Sequence, residues 1–405
     1  MCRNIFLTLQ LLLLVFILQG KALLAQDSTS NKYVFTLNKI LKATPVKNQQ
    51  NTNTCWSFSV ISFLESELLR TGKGEYNLSE LFVVRHAYAE KAKRYIRMHG
   101  HMKFTDGGEP NDVNYIIRKF GMVPEEIYPF SKVNAADYSV ETHMKLKAYV
   151  NNIIYEDNIL SPYWFNGFVE ILDSSFGEIP DTFIINEKIR TPESYAEKLE
   201  LVLDDYILIT SFTHHPFYSE FILELPDNWS WGKAYNVPLY ELIEIIDSSL
   251  CNNHTVVWAT DITENGFDFR NGLAIVPEMN PENINYIARL SRDSLSLNEN
   301  NENPYPFKYP RIERTITQEI RQEGFDNYTT TDDHSMHIIG TATDQNNTRY
   351  YYVKNSWGTD NFYKGYLFAS EAYVKYKTIV IMVNKKALPE KIAKKLKTKY
   401  MDYGM

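Results

Sequence analysis

Sulfur is scarce in this 405-residue chain, which has three cysteines, Cys2, Cys55 and Cys251. One disulfide is the most they can make, so a small scaffold stapled by disulfides is excluded, and four-sulfur zinc or iron sites lack ligands. No HExxH pair occurs, and the histidines, among them His214, His215 and His254, propose no metal site or cofactor. Positive charge is short as well. Against 50 Asp and Glu stand 42 Lys and Arg, a formal net charge of −8, so no nucleic-acid partner is expected. Long apolar runs are missing apart from "LQLLLLVFIL", Leu9 to Leu18, which is too short to span a bilayer comfortably. It follows Arg3 and precedes the small residues Ala22 and Ala25, the order of a secretory signal peptide. The expectation is export, periplasmic or secreted, with residues 1–25 removed and no membrane segment left. Losing Arg3 and Lys21 takes the charge from −8 to −10, that is −8 − 2.

What remains is ordinary globular material, 44% apolar and 23% charged, enough for a large core in one or two domains. After the polar lead "FTLNKILKATPVKNQ", the positions Trp56, Val60, Leu64 and Leu68 fall four apart, so "CWSFSVISFLESELLR" predicts a helix with a wide buried stripe. Helical patterns follow in "SELFVVRHAYAEKAKRYIRMHG", "DGGEPNDVNYIIRKFG" and "PLYELIEIIDSSL". Strands are expected at "DDYILITSF", "HTVVWATD", "HSMHIIGTATD", "RYYYVKNSWG" and "KGYLFAS", with "QNNT" as a hairpin turn. The polar, proline-bearing segment 292–310 reads as an exposed loop, and the stretch 130–230 is mixed and aromatic-rich. Helices first and strands late argue an α+β fold, with a cleft between a helical half and a sheet half.

Cys55 stands at the start of the first helix, behind Thr54 as a plausible N-cap. There the unpaired N–H groups and the helix dipole favour a thiolate. By itself a cysteine before an apolar run is most often a small core residue. Cysteine catalysis needs a base and oxyanion donors besides the sulfur. Gln49 lies six residues upstream, His334 or His337 could supply the imidazole, and Asn355 could accept its other N–H. In a strand His334 and His337 point to opposite faces, so only one can reach the sulfur. Gln50 is the less well spaced alternative to Gln49.

"PVKNQ", then "CWSFS", and much later "DDHSM" and "YYVKNSWG" occur in the order seen in the papain superfamily of cysteine peptidases, which the chain resembles over roughly residues 33–396. "HSM", "VPLYELIEII" before "VVWATDI", and "VNKKALPEKI" resemble its bleomycin hydrolase and aminopeptidase C branch. The resemblance implies an α+β papain-like fold, helical half and β-sheet/barrel half with the active-site cleft between them. With the leader read at 1–25, it leaves a peptidase domain over 26–387 with an insertion at about 130–235, and a tail over 388–405 of the kind that enters the cleft in that branch. It implies Cys55 as nucleophile, Gln49 with the Cys55 N–H as oxyanion hole, and His334 as base, with Gly340 six residues on. Asn355 would orient the histidine, Trp357 would shield their hydrogen bond, and Gly107 and Gly108 would line the substrate cleft. Peptides are the implied partners, no cofactor is called for, and a homo-oligomer is compatible, since family members are often hexameric. The implied activity is a cysteine aminopeptidase. An endopeptidase of the same fold, a silent peptide-binding relative and an acyl transferase are the alternatives. Two features depart from the pattern: Thr52 stands where many papains have a disulfide cysteine, leaving Cys251 without a partner, and the tail ends "KTKYMDYGM".

Overall fold

Helix α1, Cys55–Arg70, is buried on every side rather than along a stripe. Its small polar residues make this possible, because a serine can seat against a neighbour without a large volume change, and the hydroxyls of Ser57, Ser59 and Ser62 find partners. The computed structural model describes residues 33–132, 141–156, 159–264, 266–278 and 310–398. The leader pattern at 1–25, nearly all of the 292–310 segment and residues 399–405 lie outside these.

Strand β1, Thr36–Ile40, precedes α1, a strand in what the sequence offers only as a polar lead. Helices α2 (Glu80–Arg97) and α3 (Pro110–Phe120) follow. The mixed stretch resolves into α4 (His143–Glu156), α5 (Trp164–Phe176), a small hairpin of β2 (Phe183–Ile185) and β3 (Lys188–Arg190), α6 (Pro192–Leu199), and strands β4 (Tyr206–Thr210), β5 (Glu220–Ile222) and β6 (Lys233–Asn236). Then come α7 (Leu239–Cys251), β7 (Val256–Thr260), the short β8 (Phe267–Asp268) and β9 (Leu273–Ala274), α8 (Gln318–Asp326) and β10 (His334–Thr343). The chain closes with β11 (Arg349–Lys354), β12 (Tyr366–Ser370), α9 (Glu371–Lys377), β13 (Thr378–Asn384) and α10 (Glu390–Leu396).

All strands except the β2–β3 hairpin join one sheet in the order β5-β6-β4-β13-β7-β10-β11-β12-β9-β8, with β1 beside β10. Alternation sorts its two faces. Val257 and Ala259 of β7 pack into the helical core of α1 to α3, while Val256 and Trp258 pack into a second core with α7, α9 and α10. On β10, β7 covers residues 334–338 and β1 covers 340–343. Gly340 marks the handover: a Cβ there would lie 2.2 Å from the Lys39 carbonyl oxygen. Upstream of β1, Phe35 stacks on Phe368 at 3.9 Å and on Tyr33 at 5.7 Å.

The tail expectation needs correcting for residues 388–398. Leu388, Ile392 and Leu396 are buried in the second core, so this segment docks on the sheet's far side and is no cleft insert. Its lysines pair along the seam, Lys391 with Glu244 at 2.9 Å and Lys395 with Glu241 at 2.6 Å.

Candidate active site

Cys55 is the first residue of α1. Thr54 sits at the N-cap but makes no capping bond; its hydroxyl pairs with Thr52 at 2.6 Å. Thr52 in turn donates to the Gln49 carbonyl at 2.7 Å, so hydrogen bonds brace the loop where a disulfide is absent. Cys55 and Cys251 are both free thiols, one buried and one exposed. The wall before α1 is held by Asp106, whose carboxylate accepts from the Asn53 N–H at 2.9 Å and its amide at 2.8 Å, while its carbonyl accepts from Trp56 Nε1 at 3.0 Å.

His334 opens β10 and shares with Cys55 a cavity of about 340 Å³, whose lining also includes Gly107, Gly108 and Ser335. The backbone N–H groups of Trp56 and of Ser335, the residue next to His334, act on the Cys55 sulfur and favour its thiolate. On the other side of the ring, His334 Nε2 meets Asn355 Oδ1 at 2.7 Å. The Ser356 N–H also donates to Asn355 Oδ1 at 2.7 Å. Two contacts on one amide oxygen, one of them from a backbone donor, fix the amide's orientation. The hydrogen of the neutral imidazole therefore lies on Nε2, and Nδ1 keeps its lone pair. Trp357 lies over the imidazole with ring centroids 4.5 Å apart and planes at 33°.

Electrostatics oppose the simple reading of a helix N-terminus that lowers the thiol pKa. Burial pushes the Cys55 thiol up to about 12, with Asp332 adding to the rise and the Ser335 and Trp56 amides pulling back. Burial also pushes the His334 imidazole down to about 4, with Asn355 opposing. Both shifts disfavour a single charge in a dry site. Moving the proton from sulfur to imidazole creates the two charges together, and their attraction offsets that penalty.

Gln49 is buried and does not line the cavity. Its Nε2 donates to the Thr52 carbonyl at 2.6 Å and its Oε1 accepts from Ser356 Oγ at 2.6 Å, which leaves one amide hydrogen. Gln50 is exposed at φ 59°. His337 takes the opposite face of β10, with Nδ1 against Ser62 of α1 at 2.9 Å, and burial with nearby Lys354 holds it well below its ordinary pKa. Gly107 and Gly108 lie on the cavity wall, where a Cβ would come within 2.8 Å of the Asp227 carboxylate or 2.9 Å of Trp56. Buried Lys91 donates to the Gly107 and Thr105 carbonyls from below.

Residues 35–161 match the model of the papain family cysteine proteases, and residues 308–403 match the peptidase C1-like family. The chain belongs to the papain superfamily of cysteine peptidases. Aminopeptidase G of Lactobacillus delbrueckii subsp. lactis is 22% identical over 85% of this chain and 81% of its own length. Aminopeptidase C of Lactococcus lactis subsp. cremoris is 23% identical over 85% and 82%. The crystal structure of PepW from Lactobacillus rhamnosis superposes with a TM-score of 0.68 at 18% identity, covering 91% of this chain and 86% of that one, and shows the shared fold.

Two acids of this papain-superfamily chain stand inside the sequence motifs but carry no role there. Glu109 follows the glycine pair and Asp332 precedes "DHSM", and both line the cavity. Their signal was the acid beside each motif. Elsewhere His214, His215 and Glu224 bring ligand-type atoms within 4.8 Å of one another. The Thr213 N–H donates to Gln322 Oε1 at 2.5 Å, which turns the Gln322 amide nitrogen to His214 Nδ1 at 3.1 Å. That places the hydrogen of His214 on Nε2, where Glu224 accepts it at 3.2 Å, so hydrogen bonds account for the cluster.

Proposed function

We propose that the chain is a cysteine aminopeptidase that cleaves peptides through an acyl-enzyme on Cys55. The observation that carries this reading is the Asn355–His334 pair, which keeps Nδ1 bare in the cavity that also holds the Cys55 sulfur. His334 Nδ1 takes the thiol proton as the sulfur bonds to the substrate carbonyl carbon, and the oxyanion accepts from the Cys55 N–H and, once the buried Gln49 side chain turns to the cavity, from its remaining amide hydrogen. The His334 imidazolium then protonates the leaving amine as the C–N bond breaks. Water, deprotonated by the same nitrogen, opens the thioester and restores the thiol. Gly107 and Gly108 offer backbone to an extended peptide. The aminopeptidase assignment is supported by the relatives named aminopeptidase C and G, matched over 82% and 81% of their length.

Incubating one peptide, free and N-acetylated, tests the reading. Stepwise loss of amino-terminal residues from the free form alone is expected. Internal cuts in both forms would replace the aminopeptidase assignment with an endopeptidase, and hydrolysis retained by Cys55→Ala would remove the mechanism. The leader pattern at residues 1–25 supports export; finding the protein only in the cytosolic fraction, with that segment attached, would reject it.

A further inference from the structure

The cavity beside Cys55 is lined by four carboxylates, Glu109, Asp227, Asp332 and Asp333, and by one cationic side chain, Lys103, among the described residues. Two of the four are already matched. Asp227 accepts from Lys103 at 2.6 Å and Thr105 at 2.8 Å, and Asp333 accepts from the Ile262 N–H at 3.1 Å and Thr331 at 2.8 Å. Glu109 is different. It is 2% exposed, yet its Oε1 has no hydrogen-bond partner among the described residues, and its carboxyl meets that of half-buried Asp332. Two carboxyls in contact cannot both stay ionised cheaply, so they share a proton. Asp112, Asp227 and Asp333 add negative potential around the pair, and Lys103 relieves part of it.

A buried oxygen without a donor calls for an explanation. Here the residue lines a cavity, and Lys103, the one lining cation among the described residues, is engaged with Asp227. A ligand group bringing several N–H donors and a positive charge satisfies both carboxyls. Glu109 directly follows Gly108, whose backbone lines the path of the peptide.

We infer that Glu109 and Asp332 form a subsite for a primary ammonium carried by the peptide on the amino-terminal side of the scissile bond. The inference rests on the peptidase reading and adds a specificity to it. On binding, the ammonium displaces the shared proton to solvent, and the pair passes from one negative charge to two while gaining one positive charge. The ammonium is that of the peptide's amino terminus or of a lysine side chain, and the test separates them.

The full chain carrying Cys55→Ala is titrated calorimetrically with three tetrapeptide amides: free norleucine-Ala-Ala-Ala, its N-acetyl form, and N-acetyl-lysine-Ala-Ala-Ala. At least one charged probe is expected to bind about ten-fold more tightly than acetyl-norleucine. Its binding heat at pH 7 should also vary with the buffer's ionisation heat, as proton release requires. The winning probe names the source of the ammonium. Adding Glu109→Gln should collapse the preference, and Asp332→Asn, on a half-buried side chain, serves where Glu109→Gln fails to fold. Equal binding of all three probes, binding of none, or a preference that survives both substitutions overturns the subsite. Turnover by the unsubstituted protein is scored separately. A charge preference without turnover rejects the peptidase reading alone, and turnover without a preference rejects the subsite alone.

Discussion

Asn355 carries more of the site's logic than its size suggests, because its oxygen, claimed by the Ser356 N–H, decides which imidazole nitrogen is free. Asn355→Ala should lower kcat about 10- to 100-fold with less effect on KM. A loss no larger than that of a distant surface change would reject the orienting role. The His334 imidazole, held near 4 by burial, is neutral across the mildly acidic range. The acid limb of kcat/KM should therefore fall below pH 5, and a limb near 6.5 would contradict the dry environment. The same shift links to stability. A depressed histidine pKa means the unfolded chain binds the proton first, so the contribution is full above 6.5 and lost as pH falls towards 4. The gap between 6.5 and about 4 corresponds to about 3 kcal/mol. Denaturant titrations of Cys55→Ala at pH 7 and pH 4 should show this loss, and adding His334→Gln should make it smaller.

Among the elements, β10 bears the heaviest demands, since it presents His334 at one end and accepts two partners along one edge. Gly340→Ala would set a Cβ 2.2 Å from the Lys39 carbonyl. Backbone cannot yield as a side-chain tip does, so the β1 pairing should open, with a lower Tm and faster amide exchange at 36–40. An unchanged exchange pattern would refute the close approach. Helix α10 holds by its apolar face: Ile392 is fully buried in the second core, and Ile392→Ala should cost about 2 to 4 kcal/mol in denaturant titration. The elements with regular patterns were legible in the sequence. Cys55–Arg70, Leu239–Cys251 and His334–Thr343 stand where periodicity puts them. β1 was not, because "TLNKI" is mostly exposed and is held as a strand by the β10 backbone, a partner some 300 residues away. Nor was the all-round burial of α1, whose serines read as a polar face until the hydroxyls of Ser335 and the ring of His337 are seen opposite them.

For the whole molecule, the cleft is a seam between distant parts of the chain. Ser59 meets Ser335 at 2.7 Å, and Ser62 meets both His337 and Lys354, so the helical and sheet halves are stitched by buried polar contacts directly behind the site. Sequence motifs could nominate Cys55, His334 and Asn355, since each stands in its own recognisable phrase. The pairing of Glu109 with Asp332 could not be read that way, because each acid stands beside a different motif and only folding sets one against the other. The aromatic anchor ahead of β1 bears on how far an exported form could be trimmed. Phe35 lies against Phe368, and Tyr33 lies against Phe35. Removal of the proposed leader at 1–25 would leave this anchor whole, since Tyr33 and Phe35 both follow it in the chain. A cut that removed β1 as well would strip the cover from the second half of β10 and leave a bare, sticky edge on the strand that presents the imidazole.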